Sequence, residues 1–242
     1  MKFIERIKDF FAKYLFNAKW RCVVCGREIF NDKYFCEKCE KELPINSGAI
    51  CDHCGRKLKV AREYCTTCKG NLVNVDKCRS VYVYDKQIKL LIQKMKYGNA
   101  RYLVDLFAEQ MSLLYLKNYM NAQAVVYIPM TKKAFDKRGY NQSQLLAQSF
   151  AKIVNLPVLD CMIKTKETIR QAKLGRTDRR KNLIDCFRVV DKKAVKDKKV
   201  VIIDDVTTTG STAEVVAEKL KKAGATKVFL MSVASVPPKC QY

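Results

Sequence analysis

Beyond residue 79, runs rich in β-branched and aromatic residues alternate with stretches whose apolar positions recur every three or four residues. The first kind predicts strands at 80–84, 124–129, 156–159, 186–190, 200–204 and 227–233, the third of these being weak. The second predicts helices at 86–96, 102–118, 142–154 and 213–223, the last stopped by Gly224. In 142–154 the predicted buried face is Leu145, Leu146, Ser149, Phe150 and Ile153. Residues 191–199 read as a charged turn. Residues 165–183 have little apolar periodicity and many cations, and read as a mobile loop. Strands alternating with helices imply an α/β domain with a largely parallel sheet.

Upstream the pattern differs. In 1–19, Phe3, Ile7, Phe10, Phe11, Tyr14 and Leu15 fall at helical spacing among Lys2, Glu5, Arg6, Lys8 and Asp9. This predicts an amphipathic helix that either lies on a membrane surface or packs on its own domain. Its interleaved charges argue against a signal peptide, and no apolar run approaches the roughly 18 residues of a membrane span. Residues 20–78 are loop-rich and cysteine-rich. The predicted organisation is therefore a helix at 1–19, a cysteine module at 20–78 and an α/β domain at 79–242.

Eight of the twelve cysteines form four C-x-x-C pairs. Cys22 and Cys25 precede Cys36 and Cys39 by ten intervening residues, and Cys51 and Cys54 precede Cys65 and Cys68 by the same ten. Two such knuckles bring four thiolates within tetrahedral reach of one Zn²⁺. Two structural zinc ions are expected, with an iron–sulfur cluster as the rival. Ligand pairing is open between consecutive quartets and a cross-braced arrangement. His53, the one histidine, lies inside a knuckle and reads as a solvated loop residue. Cys78, Cys161, Cys186 and Cys240 lack partners at metal spacing and read as ordinary thiols.

Lys and Arg total 47 against 24 acids, a formal net charge of +23. That excess points to an anionic partner, nucleic acid first and phosphorylated metabolites second. One stretch carries candidate chemistry for it. Val201, Ile202 and Ile203 lead into Asp204 and Asp205, then Val206, Thr207, Thr208, Thr209, Gly210, Ser211 and Thr212. A buried strand, a hydroxyl-rich turn and a helix N-terminus present N–H groups to a phosphate. Ser211 and Glu214 read as a capping box. Two adjacent carboxylates suit a ligand offering hydroxyls or a divalent cation.

The 201–212 run resembles the PRPP-binding motif of type I phosphoribosyltransferases. With Arg138-Gly139-Tyr140-Asn141-Gln142-Ser143, the spaced Gln171, Leu174, Arg179 and Asn182, and the cysteine module, the chain resembles the ComF family from about Trp20 to Ser232. The resemblance implies a type I phosphoribosyltransferase fold, a mainly parallel sheet flanked by helices, with a small N-terminal zinc module. It implies that Asp204 and Asp205 meet the ribose hydroxyls while Val206 to Thr212 wrap the 5-phosphate. Met130 and Thr131 would form the pyrophosphate loop, with Mg²⁺ bridging pyrophosphate and ribose oxygens. Arg138 is the expected phosphate fork, and Lys132 is either a phosphate contact or a surface charge. Residues 165–183, with Arg170, Gln171, Arg176, Arg179 and Arg180, correspond to the superfamily's mobile catalytic loop. Asp204, Asp205 and Arg179 are the expected catalytic residues.

The expected function is that of a cytoplasmic competence protein, either free or peripheral at the inner face of the membrane. It would bind PRPP with Mg²⁺ and single-stranded DNA, and the notion of a competence helicase or uptake-channel partner follows from the same resemblance. Tyr34, Phe35, Tyr64, Tyr82 and Tyr84 either stack bases or pack in the core. The alternative is a metabolic phosphoribosyltransferase acting on an unidentified base or amine. No residue identifies an acceptor.

Overall fold

The computed structural model describes residues 21–30, 33–58, 60, 63–65, 68–69, 74–98, 100–167 and 183–237. The chain divides into two compact units, Met1–Leu43 and Pro44–Tyr242. The amphipathic helix expected at 1–19 lies outside the described residues, as does Cys240.

In the first unit, Cys22, Cys36, Cys39 and Ile29 form a small buried cluster. The one helix described there, α1 (Glu37–Lys41), starts directly after Cys36 and carries Cys39 inward. The second unit runs β1 (Lys77–Val83), α2 (Lys86–Tyr97), α3 (Tyr102–Lys117), β2 (Ala124–Tyr127), α4 (Lys132–Arg138), α5 (Gln142–Val154), β3 (Met162–Lys164), β4 (Phe187–Val189), α6 (Lys192–Val195), β5 (Lys199–Thr207), α7 (Ser211–Lys222) and β6 (Lys227–Ser235). The composition break near residue 79 falls inside this unit.

Four strands form one sheet in the order β1-β6-β5-β2, all parallel. β5 is central, and Val200, Val201, Ile202 and Ile203 are each 0% exposed. Burial on both faces explains why this strand reads as a continuous apolar run rather than an alternation. Each of these side chains contributes about 1.5–3 kcal/mol by leaving water. Val200 and Ile202 pack with Val216, Ala217 and Leu220 of α7 on one face. Successive residues point to opposite faces, so Val201 and Ile203 serve the other, where α5 packs on β5 and α3 on β6. Edge-to-face aromatic pairs knit that layer, Tyr115 with Phe150 at 5.3 Å and Tyr82 with Phe107 at 6.3 Å. The helices after neighbouring strands β2 and β5 thus lie on opposite faces. A crevice opens at the carboxyl ends of such strands, where ligands of open α/β sheets bind.

Several expectations need correction. The 186–190 strand forms as β4, but it pairs antiparallel with the unforeseen β3 in a separate two-stranded sheet. Residues 156–159 supply a single parallel bridge, Val125 with Val158, because Pro157 offers no N–H. The charged turn holds the short α6, capped by Asp191 accepting from the Ala194 N–H at 3.0 Å. α4 has no buried residue, so no apolar period announced it. The buried face of α5 is Ser143, Leu146, Ala147, Phe150 and Ala151, while Ile153 is 50% exposed. Small side chains let this helix approach α3 closely, and hydrophobicity alone does not reveal them.

Candidate functional site: a twin-acid phosphate loop and two cysteine quartets

Asp204 and Asp205 lie near the carboxyl end of β5, with Val206 and Thr207 completing the strand. Asp204 Oδ1 accepts from Ser143 Oγ at 3.1 Å and from the Asp205 N–H at 2.9 Å. Burial, and then the adjacent Asp205 carboxylate, push the Asp204 carboxyl up to about 8. Asp205 is buried, its Oδ2 paired with the Lys96 ammonium and its Oδ1 accepting weakly from Gln142 Nε2 at 3.5 Å. The site therefore holds one carboxyl inclined to be neutral beside one neutralised by a cation. Two facing oxygen-rich groups fit a ligand that brings hydroxyls or a hard divalent cation.

After Asp205 the hydroxyls divide. Thr207 is buried and donates to Ser232 Oγ at 2.9 Å, which is itself 2.7 Å from Ser80 Oγ, so its hydroxyl belongs to the sheet. Thr208, Thr209 and Ser211 are exposed, Thr212 and Val206 half-buried. Thr209 Oγ1 and Ser211 Oγ lie 2.8 Å apart. Gly210 takes φ 78° with open space around it, so its backbone conformation, rather than room for a neighbour, calls for glycine. The helix cap is Gly210, with no side-chain cap, which corrects the expected capping box: Ser211 is already helical, and Glu214 bonds elsewhere.

The Arg138–Ser143 segment builds the opposite wall. Asn141 caps α5 through the Ser143 N–H at 3.0 Å and donates to Ile128 O at 3.0 Å, fixing the turn after β2. Tyr140 OH donates to Met95 O, tying the segment to α2. Arg138 donates to Gln142 Oε1 and, at 3.2 Å, to Tyr97 OH, with its guanidinium 5.0 Å from the Tyr97 ring. The residues for which the sequence suggested phosphate contact thus also position Gln142 and Ser143 against the acids. Thr131 is buried, caps α4 and meets the Glu167 carboxylate; Lys132 is exposed and Met130 half-buried. Beside them a cavity of about 360 Å³ is lined by Tyr127, Met130, Phe135, Asp160 and Lys164 among others. Arg179, with Arg170, Gln171, Leu174, Arg176, Arg180 and Asn182, lies outside the described residues.

The cysteine quartets are consecutive. Cys22, Cys25, Cys36 and Cys39 form one group and Cys51, Cys54, Cys65 and Cys68 the other, with all sulfurs of a group within 4.8 Å of one another. Tetrahedral zinc with bonds of about 2.3 Å separates sulfurs by about 3.8 Å. Cys25–Cys36 and Cys54–Cys65 stand 3.8 Å apart, so both groups fit structural Zn²⁺. The two knuckles share one construction: Gly26 (φ 75°) donates to Cys22 O at 2.8 Å, and Gly55 (φ 68°) to Cys51 O at 2.9 Å.

The second knuckle packs against the α/β elements of its own unit. A Cβ on Gly55 would lie 2.8 Å from Cys78 Sγ. Asn46 Nδ2 donates to Gly55 O at 2.8 Å, and Arg79 pairs with Asp52 at 2.5 Å. His53 corrects the solvated-loop expectation: it is 6% exposed, and its Nε2 is 2.6 Å from Glu214 Oε1. Glu214 also accepts from the Asn74 N–H at 2.8 Å. Burial alone would raise the Glu214 carboxyl, but the His53 and Asn74 hydrogen bonds outweigh it and hold the group below the usual range. Arg56 donates to Thr208 O at 2.5 Å, in the hydroxyl turn between β5 and α7. Lys96, His53 and Arg56 were invisible as site residues in sequence, because their partners are remote and cations are plentiful. Cys78, Cys161 and Cys186 are buried thiols, and burial drives the Cys78 thiol far up.

A family model for a double zinc ribbon domain matches residues 12–69, and one for a phosphoribosyl transferase domain matches 137–239. Competence protein F of Haemophilus influenzae is 29% identical over 89% of this chain and 96% of its own length. Competence protein ComFC of Bacillus subtilis is 26% identical over 80% of each. DNA utilization protein YhgH of Escherichia coli O157:H7 is 28% identical over 86% of each. Among solved structures, a glutamine PRPP amidotransferase from B. subtilis matches with TM-score 0.41 at 18% identity, over 58% of this chain and 30% of that one. Among the described residues no helix is long and apolar enough to cross a membrane.

Proposed function

We propose a function from one premise: this chain belongs to the competence protein F (ComF) family. In that function the 204–212 segment binds PRPP as its Mg²⁺ complex, and the protein handles single-stranded DNA during DNA uptake on the cytoplasmic side. The observation that carries the reading is the placement of Asp204 and Asp205 at the carboxyl end of β5, directly before an exposed hydroxyl turn that opens α7. The acids accept from the ribose hydroxyls, and the turn and helix N-terminus hold the 5-phosphate. Thr131 and its neighbours, with Arg138, face the pyrophosphate. Asp204 and Asp205 would be the residues to hold Mg²⁺, which would supply charge neutralisation to the pyrophosphate.

If transfer occurs, C1 of the ribose becomes oxocarbenium-like as pyrophosphate departs. Positioning and charge stabilisation then carry the catalysis, with Arg179 as the expected catalytic cation. The net charge of +23 supports a polyanionic partner beside the PRPP site. The cavity of about 360 Å³ has room for a nucleobase and favours a second reading, a metabolic phosphoribosyltransferase for a small base or amine.

The test is calorimetric titration of PRPP with and without Mg²⁺ into the wild type and into Asp204→Asn/Asp205→Asn. Unchanged affinity in the double variant discards the ribose assignment. Pyrophosphate release on adding single-stranded DNA or candidate bases then separates transferase from sensor, and one reading from the other.

A further inference from the structure

Residues 52–56 of the second knuckle connect two places that the sequence keeps far apart. Arg56 holds Thr208 O, in the turn between β5 and α7. His53 holds Glu214, in the first turn of α7. One rigid knuckle therefore grips the phosphate loop on both sides of Gly210. The loop has few other restraints of its own: Thr208, Thr209 and Ser211 are exposed, and no side chain caps the helix. The knuckle is itself anchored, by Asp52 on Arg79, by Asn46 on Gly55 O and by the tight seat of Gly55 on Cys78.

The Arg56 contact has a directional consequence. Across a planar trans peptide, the Thr209 N–H points opposite to the Thr208 carbonyl. Fixing that carbonyl on the guanidinium aims the Thr209 N–H away from the knuckle and restricts the turn from rotating. Without a cation the sulfurs take up protons and share no common centre, so the quartet locks this knuckle in shape only when metal is bound.

Building on the PRPP reading above, we propose that the second zinc knuckle is the strut that sets the phosphate loop. Arg56 and His53 are its positioning residues, so zinc at Cys51, Cys54, Cys65 and Cys68 and PRPP at 206–212 raise each other's affinity. A loop that spends only part of its time in the gripping conformation weakens apparent affinity by that fraction. The coupling is reciprocal: whatever factor zinc adds to PRPP binding, PRPP adds to zinc binding at this quartet. A zinc site that merely stabilised the fold would leave the PRPP affinity of the folded protein unchanged.

The experiment titrates Mg²⁺-PRPP into the zinc-loaded full chain, wild type against Arg56→Ala, Arg56→Lys and His53→Gln. Arg56→Ala weakens binding roughly tenfold, the cost of one charge-assisted hydrogen bond. Arg56→Lys and His53→Gln, which can still donate, recover part of the affinity. A second measurement needs no variant: the equilibrium partition of zinc between the wild type and a chromogenic chelator, with and without saturating PRPP. The proposal expects one of the two zinc ions per chain to be held about tenfold more tightly with PRPP. Equal PRPP affinity in wild type and Arg56→Ala overturns the strut, as does a zinc affinity unmoved by PRPP that calorimetry shows to be bound. Equal protection of both zinc ions indicates general stabilisation and also overturns it. A wild type that binds no PRPP removes the proposed function, and this inference with it.

Discussion

Replacing Asp204 by asparagine should make the ligand-free protein more stable while abolishing PRPP binding. The amide keeps the shape of the carboxyl and an oxygen to accept from Ser143 Oγ and the Asp205 N–H. What it removes is a titratable group that the fold holds at about 8 instead of its ordinary value near 4. Carrying a carboxyl that far corresponds to roughly 5 kcal/mol of preference for the protonated form. Asp205 and Lys96 share the electrostatics, and solvent reaches part of the side chain, so about 2 kcal/mol is the portion that asparagine relieves at pH 8.

The sign follows from proton counting. Between about pH 4 and pH 8 the folded Asp204 keeps a proton that the unfolded chain has released, so wild-type stability falls as pH rises through that window and is flat above it. Asparagine has no such slope. In Mg²⁺-free buffer without chelator, the melting-temperature gap between Asp204→Asn and wild type should widen from a degree or two at pH 5.5 to roughly 5 °C at pH 8. A variant that melts at or below wild type at pH 8, or a gap that stays constant across the two pH values, refutes the assignment of strain to this carboxyl. The same variant should show no calorimetric heat with Mg²⁺-PRPP, the trade of stability for function expected at a binding site.

Two further outcomes follow from the geometry. Elemental analysis should find two zinc ions per chain, and Cys51→Ser should lower that to one while destabilising the unit that contains β1 and α7; two ions retained in that variant would refute the quartet. Single-stranded DNA binding should fall steeply with salt, a log–log slope of about −3 or steeper if several phosphates are met; a flat dependence would remove nucleic acid as the partner of the +23 charge.

What was legible in the sequence was what depends on local repetition. The β5 run is apolar because both its faces are buried, and the cysteine spacing is fixed by the reach of four thiolates around one ion. Both could be read without knowing any remote contact. Quartet pairing could not, since sequential and cross-braced schemes have the same spacings and only the fold chooses. Lys96 gave no signal because its partner Asp205 lies over a hundred residues away and Lys is common throughout. Ser211 and Glu214 satisfy the capping-box pattern, yet Gly210 takes the cap and Glu214 turns to His53, because a tertiary partner in a half-buried setting outcompetes a solvated local one. His53 was misread for the matching reason: a histidine left over from a metal quartet has no local use, and its partner is 161 residues on.

The site's electrostatics and its scaffolding follow one logic. An unliganded pair of adjacent carboxylates is costly, and the fold meets the cost by leaving Asp204 inclined to protonate and by setting Lys96 on Asp205. On the proposed function those compensations are provisional, since a ligand bringing hydroxyls and a divalent cation would replace both. The walls are not provisional: Asn141, Tyr140 and Arg138 brace one side through backbone and aromatic contacts, and the second zinc knuckle braces the other through Arg56 and His53. If the loop holds a dianion as proposed, it does so without a capping side chain of its own, and a metal-locked knuckle then supplies the external bracing with no large core of its own. On this logic, substitutions in the bracing residues should alter PRPP affinity without changing the pH slope that Asp204 imposes, whereas substitutions at Lys96 should alter both.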